Sequence, residues 1–569
     1  MPFSWRTPVG LALVAGLYFA VQAGGRDLSH IDEHRYAEVA REMAEPDGNW
    51  VVPQLDGERY DSKPPGFFWA AAIAQRSGLD LPTASRLPSV VAAAATLVAL
   101  YGIARRLYGG AAANASVVVL ATTALFSSLA RRVDLDMMLT AFTTGSLYAG
   151  LRAAREERHH TAWLALAGLL SGLGVLVKGP VAWMVPGVTI LAWLASSRRL
   201  SAVTLRESAI VLVPALAPIS LWLLAAALRA GPEYVKSIAL GHGVGHPLGA
   251  VDKLRPFWFY AVSLPQGLLP WTLLLPAAFL ALRREGLAPG RSDPEADRFA
   301  VAWLLAPLLV LSMLPAKRHL YLLPIYPAAA LLVGRLAAML RERDRSADPS
   351  LEPGFVRAAR LGVSAVAGAA VVAGGAFALA GLAFAVARAL PRSVFDGAPS
   401  ASAALSLVSA SGGLALAALA FALGTLVLAG GWRALGAATP AGQARGLALA
   451  TLASALLASC VVHPLETGID GQRDFLEAVR ARVGDAPLAD YGGLDFATNW
   501  TLRRRRVPRL RDERQATLFL EENAPRGGAL VVEADELAER GMPRGAQVLL
   551  VWPRPFGTAL VLLGADRAS

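Results

Sequence analysis

About thirteen apolar stretches, each near the length a helix needs to cross a bilayer, recur along this chain and leave few folds open to it. A window of about 19 residues places them at 8–24, 86–107, 111–130, 135–152, 160–177, 179–196, 207–228, 262–282, 299–315, 319–340, 360–388, 403–430 and 445–463. Hydrophobic residues make up 55% of the 569 and charged ones only 17%, so lipid rather than water solvates most of the chain. The expected fold is an α-helical polytopic membrane protein. The run from Val9 to Ala23 lacks a convincing cleavage pattern at Ala23-Gly24 and reads as a retained first helix, not a signal peptide.

A net charge of +11 would suggest a nucleic-acid partner in a soluble protein, but here it follows from topology and implies no nucleic acid. With the N-terminus cytoplasmic, arginine collects in alternate loops: Arg105-Arg106, Arg152 with Arg155 and Arg158, Arg198-Arg199, Arg283-Arg284, Arg341 with Arg343 and Arg345, and Arg433 with Arg445. That is the positive-inside pattern. It puts the first loop, residues 25–85, on the outer side, and an odd number of spans puts residues 466–569 there too. This tail has a polar helical stretch from Glu513 to Asn523 and β-type runs at Ala529 to Glu533, Gln547 to Trp552 and Thr558 to Leu563. The expected division is therefore a membrane domain, 1–465, and a small soluble α/β domain, 466–569. The run Arg503 to Arg506 reads as a solvated helix face, with attraction to anionic head groups as the sharper alternative. The lone Cys460 excludes an intrachain disulfide and a cysteine-rich metal site.

Basic residues on the outer side run against the topology rule, and they cluster at span ends: Lys63, Arg131-Arg132, Lys178, Lys236, Lys253, Arg255 and Lys317-Arg318-His319. The acids on that side are Asp32, Glu33, Asp61, Asp134 and Asp136. Cations and carboxylates meeting at one membrane face suit a reaction on a phosphate-linked lipid, where cations hold phosphate oxygens and a carboxylate orients or activates the nucleophile. Each residue also has a structural reading. Asp32 can cap a helix running to about Glu45, with Glu33 and Glu38 on its exposed face. Asp134-Leu135-Asp136 resembles the Asp-x-Asp pair with which soluble nucleotide-sugar transferases hold metal, but at a span start such a tripeptide more often caps the helix. Lys178-Gly179-Pro180 reads as a helix stop with a snorkelling lysine, and Lys317 can snorkel similarly. Pro64 to Leu79 reads as an amphipathic helix lying on or dipping into the membrane. His242, His246, His319 and His463 lack zinc-helix spacing, and neither a Gly-rich phosphate loop nor a Gly-x-Ser-x-Gly elbow occurs.

The order of short motifs then carries a resemblance. Asp32-Glu-x-Arg-Tyr-Ala-Glu is followed by Trp50-x-Val-Pro, Arg59-Tyr60-x-x-Lys63-Pro64, Leu135-Asp136, Lys178-Gly179, Pro256-Phe257-Trp258-Phe259-Tyr260, Leu264-Pro265 with Pro270-Trp271, and Lys317-Arg-His-Leu-Tyr321-Leu-Leu-Pro324. This resembles the bacterial 4-amino-4-deoxy-L-arabinose lipid A transferases, a branch of the GT-C transferases related to protein O-mannosyltransferases. The likeness is strongest from residue 30 to about 330. It implies a GT-C membrane fold, with residues 1–465 as its catalytic domain. It also implies a multi-pass enzyme of the bacterial inner membrane whose active site and tail face the periplasm. The implied donor is a sugar on undecaprenyl phosphate, and the acceptor is lipid A or another envelope molecule.

Carried over position by position, the resemblance makes Asp32 the principal catalytic carboxylate and Asp136 the second acid. It puts Lys63, Lys178, Lys317 and Arg318 on donor or acceptor phosphates, and Glu33, Arg35, Tyr36, Tyr60 and Tyr321 around the pocket. It names no cofactor and leaves a divalent metal open. Two departures bear on the sugar: Ser62 stands where the family carries an acid, with Asp61 one position earlier, and Lys317-Arg318-His319-Leu320-Tyr321 replaces the family's Lys-Gly-Lys-Leu-Pro-Thr-Tyr. Other readings are a polyprenyl-phosphate-mannose type transferase acting on protein or lipid, a lipid-linked sugar flippase, and an envelope scaffold. A flippase should show repeated halves with polar residues at mid-bilayer, and a scaffold leaves the outer lysines unexplained.

Overall fold

The computed structural model describes residues 8–21, 28, 31–155, 159–239, 254–285, 294–346, 353–389, 408, 413–437, 440–462, 472–492, 497–553 and 558–565. His242, His246, Lys253 and His463 lie outside the described residues. Helices occupy every one of the expected apolar stretches among the described residues. Among the described residues, seven are long and apolar enough to cross a membrane unaided. An eighth span arises if the pair Phe259–Gly267 and Trp271–Leu282, bent by 105°, counts as one. The chain is thus a multi-pass membrane protein.

The first transmembrane segments show how the sequence shapes the bundle. Helix α1 (Pro8–Ala20) leads to α2 (Ile31–Ala44), a two-stranded hairpin of β1 (Gln54–Leu55) and β2 (Glu58–Arg59), α3 (Gly66–Arg76) and then α4 (Leu81–Ala121). Helix α4 starts where the Asp80 carboxylate accepts from the Thr83 backbone N–H at 3.2 Å, with proline in its first turn. Two expected spans, 86–107 and 111–130, share this helix, which breaks at Gly109, where φ is +83°. Only glycine takes that angle without strain. After the short α5 (Ala124–Leu129) come α6 (Leu135–Arg155), α7 (His160–Lys178), α8 (Val181–Ser196) and α9 (Leu205–Ala230). Gly168 and Gly172, one turn apart on α7, let it lie directly on α9. A Cβ at these positions would fall 2.1 Å from the Val211 carbonyl and 2.5 Å from the Ala215 carbonyl.

The first loop has its own apolar core. Tyr36, Met43, Tyr60, Phe67 and Phe68 are buried together, with the Tyr60 and Phe68 rings edge to face at 5.8 Å. Helix α3 turns one face into that core, burying Phe67, Phe68, Ala71, Ala72 and Ala74. Glu33 and Glu38, expected on an exposed helix face, are 2% and 0% exposed. Both corrections share a cause: the loop folds back as a packed layer, and what would have been a wet face of α2 meets protein.

The tail builds a four-stranded sheet in the order β3 (Leu488–Asp490), β4 (Ala529–Glu533), β6 (Leu560–Ala565) and β5 (Ala546–Trp552). The β3–β4 pair is parallel and the others antiparallel. Alternation along β4 and β6 sorts the faces: Ala529, Val531, Leu560 and Leu562 pack with Phe475 and Leu476, while Leu530, Val532, Val561 and Leu563 pack with Ala516 and Leu520. The helices Gln472–Val483 and Glu513–Asn523 thus cover opposite sides. The arginine run is not a solvated helix face. The short helix Ala497–Thr501 ends before it, and Arg505 reaches the first loop, pairing with Glu45 at 2.9 Å and with Asp47.

Candidate active site

Sequence-distant helix ends meet at one end of the bundle and bring most of the expected residues together. The first turn of α2 carries Asp32, whose carboxylate pairs with Arg35 and, at 3.1 Å, with Arg318. The two arginines converge because Arg35 lies one helical turn along α2 while Arg318 precedes the 3₁₀ helix His319–Ile325. Asp32 therefore does more than begin a helix: it joins the first loop to a segment 286 positions later.

A second pair lies at the ends of α6 and α7. Lys178 closes α7, and its ammonium pairs with Asp136 in the first turn of α6. The same ammonium lies 5.0 Å from the centre of the Tyr321 ring. Asp136 is 2% exposed, and among the described residues its Oδ1 has no hydrogen-bond partner. A buried acceptor left open next to a paired oxygen is suited to a ligand hydroxyl. Asp134 performs the capping task that the sequence allowed to either acid, its Oδ1 accepting from the Met137 N–H at 3.1 Å. Burial and the nearby Asp136 carboxylate push the Asp134 carboxyl up, with Lys178 opposing them.

Glu33 faces the interior rather than the pocket. It accepts from the Val133 N–H at 2.8 Å and pairs with the buried Arg86 at 3.3 Å, tying α2 to α4 and to the segment that carries Asp134. Tyr36 is buried beside Phe67 and Phe68, with the Arg35 guanidinium 5.2 Å from its ring centre. Burial, then Tyr60 and Asp32, push the Tyr36 phenol up, and burial pushes the Tyr60 phenol up to about 12. Both stay neutral donors at physiological pH. The Lys63 ammonium donates to the Ser62 carbonyl at 3.0 Å. Asp61, next to the family's missing acid, accepts from the Ser237 hydroxyl.

Some of the outer cations do other work. Lys317 donates to the Leu314 and Arg255 carbonyls at 2.5 and 3.0 Å, satisfying the end of helix Pro294–Met313 and leaving its neighbour Arg318 to meet Asp32. Arg131 is buried under α1, its guanidinium 4.5 Å from the Tyr18 ring centre. Lys236 pairs with Glu233 at the surface. The sequence reading missed Arg86, which anchors Glu33, although an arginine at the start of an apolar span was its visible sign. It also gave no role to Tyr260, which lies within electrostatic reach of Tyr321 and Asp136.

The carboxylates Glu38, Glu42 and Asp56 come within 4.8 Å of one another, a grouping that among the described residues meets the spacing for a cation. Their oxygens are engaged by protein donors. Arg41 holds Glu38 through two bonds of 2.8 Å, Asn499 bridges Glu38 and Asp56, Arg509 meets Asp56 at 3.3 Å, and the Gly57 N–H reaches Glu42 at 3.1 Å. That donor set does not leave the several open oxygens a hard divalent ion takes.

Residues 62–224 match the family model described as dolichyl-phosphate-mannose-protein mannosyltransferase. The undecaprenyl phosphate-alpha-4-amino-4-deoxy-L-arabinose arabinosyl transferase of Edwardsiella ictaluri is 31% identical over 342 residues, covering 59% of this chain and 60% of the relative. The enzyme of the same name from Pseudomonas aeruginosa is also 31% identical, covering 58% of this chain and 60% of the relative. The matched stretch thus spans about three fifths of these relatives' length. The crystal structure of ArnT from Cupriavidus metallidurans bound to undecaprenyl phosphate superposes with a TM-score of 0.73 at 20% identity, covering 99% of this chain and 98% of the other. That likeness extends the shared fold through the tail.

Proposed function

We propose that this chain is a GT-C transferase of the same kind as the undecaprenyl phosphate aminoarabinose arabinosyl transferases it resembles, and that it transfers 4-amino-4-deoxy-L-arabinose from undecaprenyl phosphate to lipid A. In this reading the reaction takes place at the periplasmic face of the bacterial inner membrane, the side on which the positive-inside rule expects the arginine-poor loops. The observation that carries this reading is the meeting of Asp32, Arg35 and Arg318 with Asp136, Lys178 and Tyr321 at one end of an otherwise apolar bundle.

In this reading an acceptor oxygen forms a bond to the anomeric carbon while the bond from that carbon to the donor phosphate oxygen breaks. The electron pair leaves with undecaprenyl phosphate, and its growing charge requires fixed cations. In this reading Lys63, Arg35 and Arg318 supply them. In a site with little water such charges act far more strongly than in bulk. Asp32, paired with two guanidinium groups, orients a phosphate acceptor or takes the proton of a hydroxyl one. Asp136 holds a sugar hydroxyl through its open Oδ1, and Lys178 prevents that buried carboxylate from standing unpaired.

The decisive test is transfer in proteoliposomes. Purified chain, aminoarabinosyl undecaprenyl phosphate and lipid A should yield lipid A heavier by the sugar, read by mass spectrometry. Loss of donor with no sugar on lipid A would move the acceptor elsewhere, and an intact donor would sink the transferase reading. Orientation has its own check. In a Cys460→Ser background, Arg514→Cys in the tail should react with an impermeant thiol reagent in spheroplasts, and protection would reverse the topology.

A further inference from the structure

Asn499 is 3% exposed and comes from the tail, yet its side chain is occupied by the first loop. Its Nδ2 donates to Glu38 at 2.8 Å and to Asp56 at 2.7 Å, while its Oδ1 accepts from the Val507 N–H at 2.9 Å. Glu38 lies on α2, less than two turns from Asp32, and Asp56 lies at the tip of the β1–β2 hairpin that runs on to Tyr60 and Lys63. One amide therefore spans the two branches of the loop that carry the proposed catalytic carboxylate and the proposed phosphate-binding lysine.

The surroundings reinforce that span. Arg41, which grips Glu38, donates to the Arg505 carbonyl at 2.9 Å, and Arg505 pairs with Glu45 and Asp47 just past the end of α2. Arg509 bridges Asp56 of the hairpin and, at 3.9 Å, Asp490 of β3. Trp500 packs against the loop's apolar core. Without the amide, Glu38 and Asp56 would face each other as like charges in a partly desolvated site, and α2 and the hairpin would spread.

We propose that Asn499 is a positioning residue for sugar transfer, holding the Asp32 helix and the Lys63 hairpin at their working separation, and that the tail thereby sets the competence of the active site. This rests on the transferase reading above. It assigns the tail a task in turnover instead of one in partner binding or simple anchoring. A displacement of about 1 Å in a catalytic array is enough to cost up to about a hundredfold in rate.

Asn499→Asp is the sharpest probe. It keeps the shape and the bond from Val507 but sets a third carboxylate against Glu38 and Asp56. Measured on the full chain in nanodiscs, with turnover counted per site titrated by undecaprenyl phosphate alone, it should lower turnover at least about tenfold. The double variant Asn499→Asp with Asp56→Asn restores the bond between these two positions with its direction reversed, leaves Glu38 to Arg41, and should regain at least about threefold of the lost turnover. Arg505→Glu, at a side chain 69% exposed, is a second probe that folding does not confound and should lower turnover per site in the same direction. Wild-type turnover per site in Asn499→Asp, absence of rescue in the double variant, or no change in Arg505→Glu would overturn the proposal. A merely structural role would reduce the number of titratable sites and leave turnover per site untouched. Failure of the transferase reading looks different, because wild-type protein would then bind undecaprenyl phosphate without transferring sugar, or would not bind it.

Discussion

Asp32 and Asp136 are the same acid, each facing cations of this chain, but they are supported in opposite ways. Asp32 sits on a loop helix, is 17% exposed at its side chain, and meets two arginines that are each about one third exposed. Asp136 is 3% exposed at its side chain, in the first turn of α6, and meets one lysine that closes the next helix. The first arrangement can adjust and remains accessible to substrate. The second belongs to the bundle's framework, because separating a buried pair leaves a charge with no compensation. The contrast suggests that chemistry is concentrated on the loop side and sugar placement on the framework side.

Several substitutions test that contrast. The largest loss is expected for Asp32→Asn, which should cut transfer by about 10²–10⁴-fold with normal membrane insertion and thermal stability; substantial transfer would return Asp32 to a helix-starting role. Lys178→Ala strands Asp136 and should cost about 3–5 kcal/mol of stability, read as a lowered melting temperature, with Lys178→Ala plus Asp136→Asn recovering much of it. If Lys178→Ala were as stable as wild type, the framework half of the comparison would be wrong. Lys63→Ala should weaken undecaprenyl phosphate binding by about tenfold, the loss of one charge-assisted contact, and unchanged affinity would remove Lys63 from the phosphate site. Lys317 and Arg318 should separate, with Arg318→Ala reducing transfer and Lys317→Ala mainly lowering stability through two freed carbonyls. Equal effects of both on transfer would blur the line between them.

The smallest effect concerns pH. Burial pushes the Glu42 carboxyl up to about 7 from the ordinary 4.5, against the opposing bond from Gly57. The folded protein therefore holds this proton longer than the unfolded chain. Glu42's contribution to stability is intact below about pH 4.5 and is lost as pH rises toward 7, after which it levels off. Glu42→Gln should flatten that part of a melting-temperature profile, and an unchanged slope would assign it to another group.

The helical stretches and three of the tail's four strands were legible because they depend on local pattern, whereas the short β3 was not expected. Span length, arginine spacing and the alternation in Ala529–Glu533 are each written within a short window. Among the site residues, Asp32, Arg35, Asp136, Lys178, Arg318 and Tyr321 do meet. Lys317 and Arg318 could not be distinguished, because adjacent residues share a sequence context while their side chains leave the backbone in different directions. Glu33, Glu38 and the arginine run were misjudged for a related reason: periodicity identifies the polar face of a helix but not the protein that will cover it.

By itself the sequence determined that this chain spans a membrane repeatedly, which loops carry the topological charge, and which motif order it shares with a transferase family. Hydrophobic length and charge placement act through solvent, so they need no knowledge of the fold. Tertiary structure alone decided which carboxylate meets which cation, that Asp136 retains an open oxygen, and that Asn499 reaches Glu38 across 461 positions. Pairing energies of buried charges and amides depend on separations of a few ångströms and on the water excluded between them. Those quantities exist only after distant segments have packed.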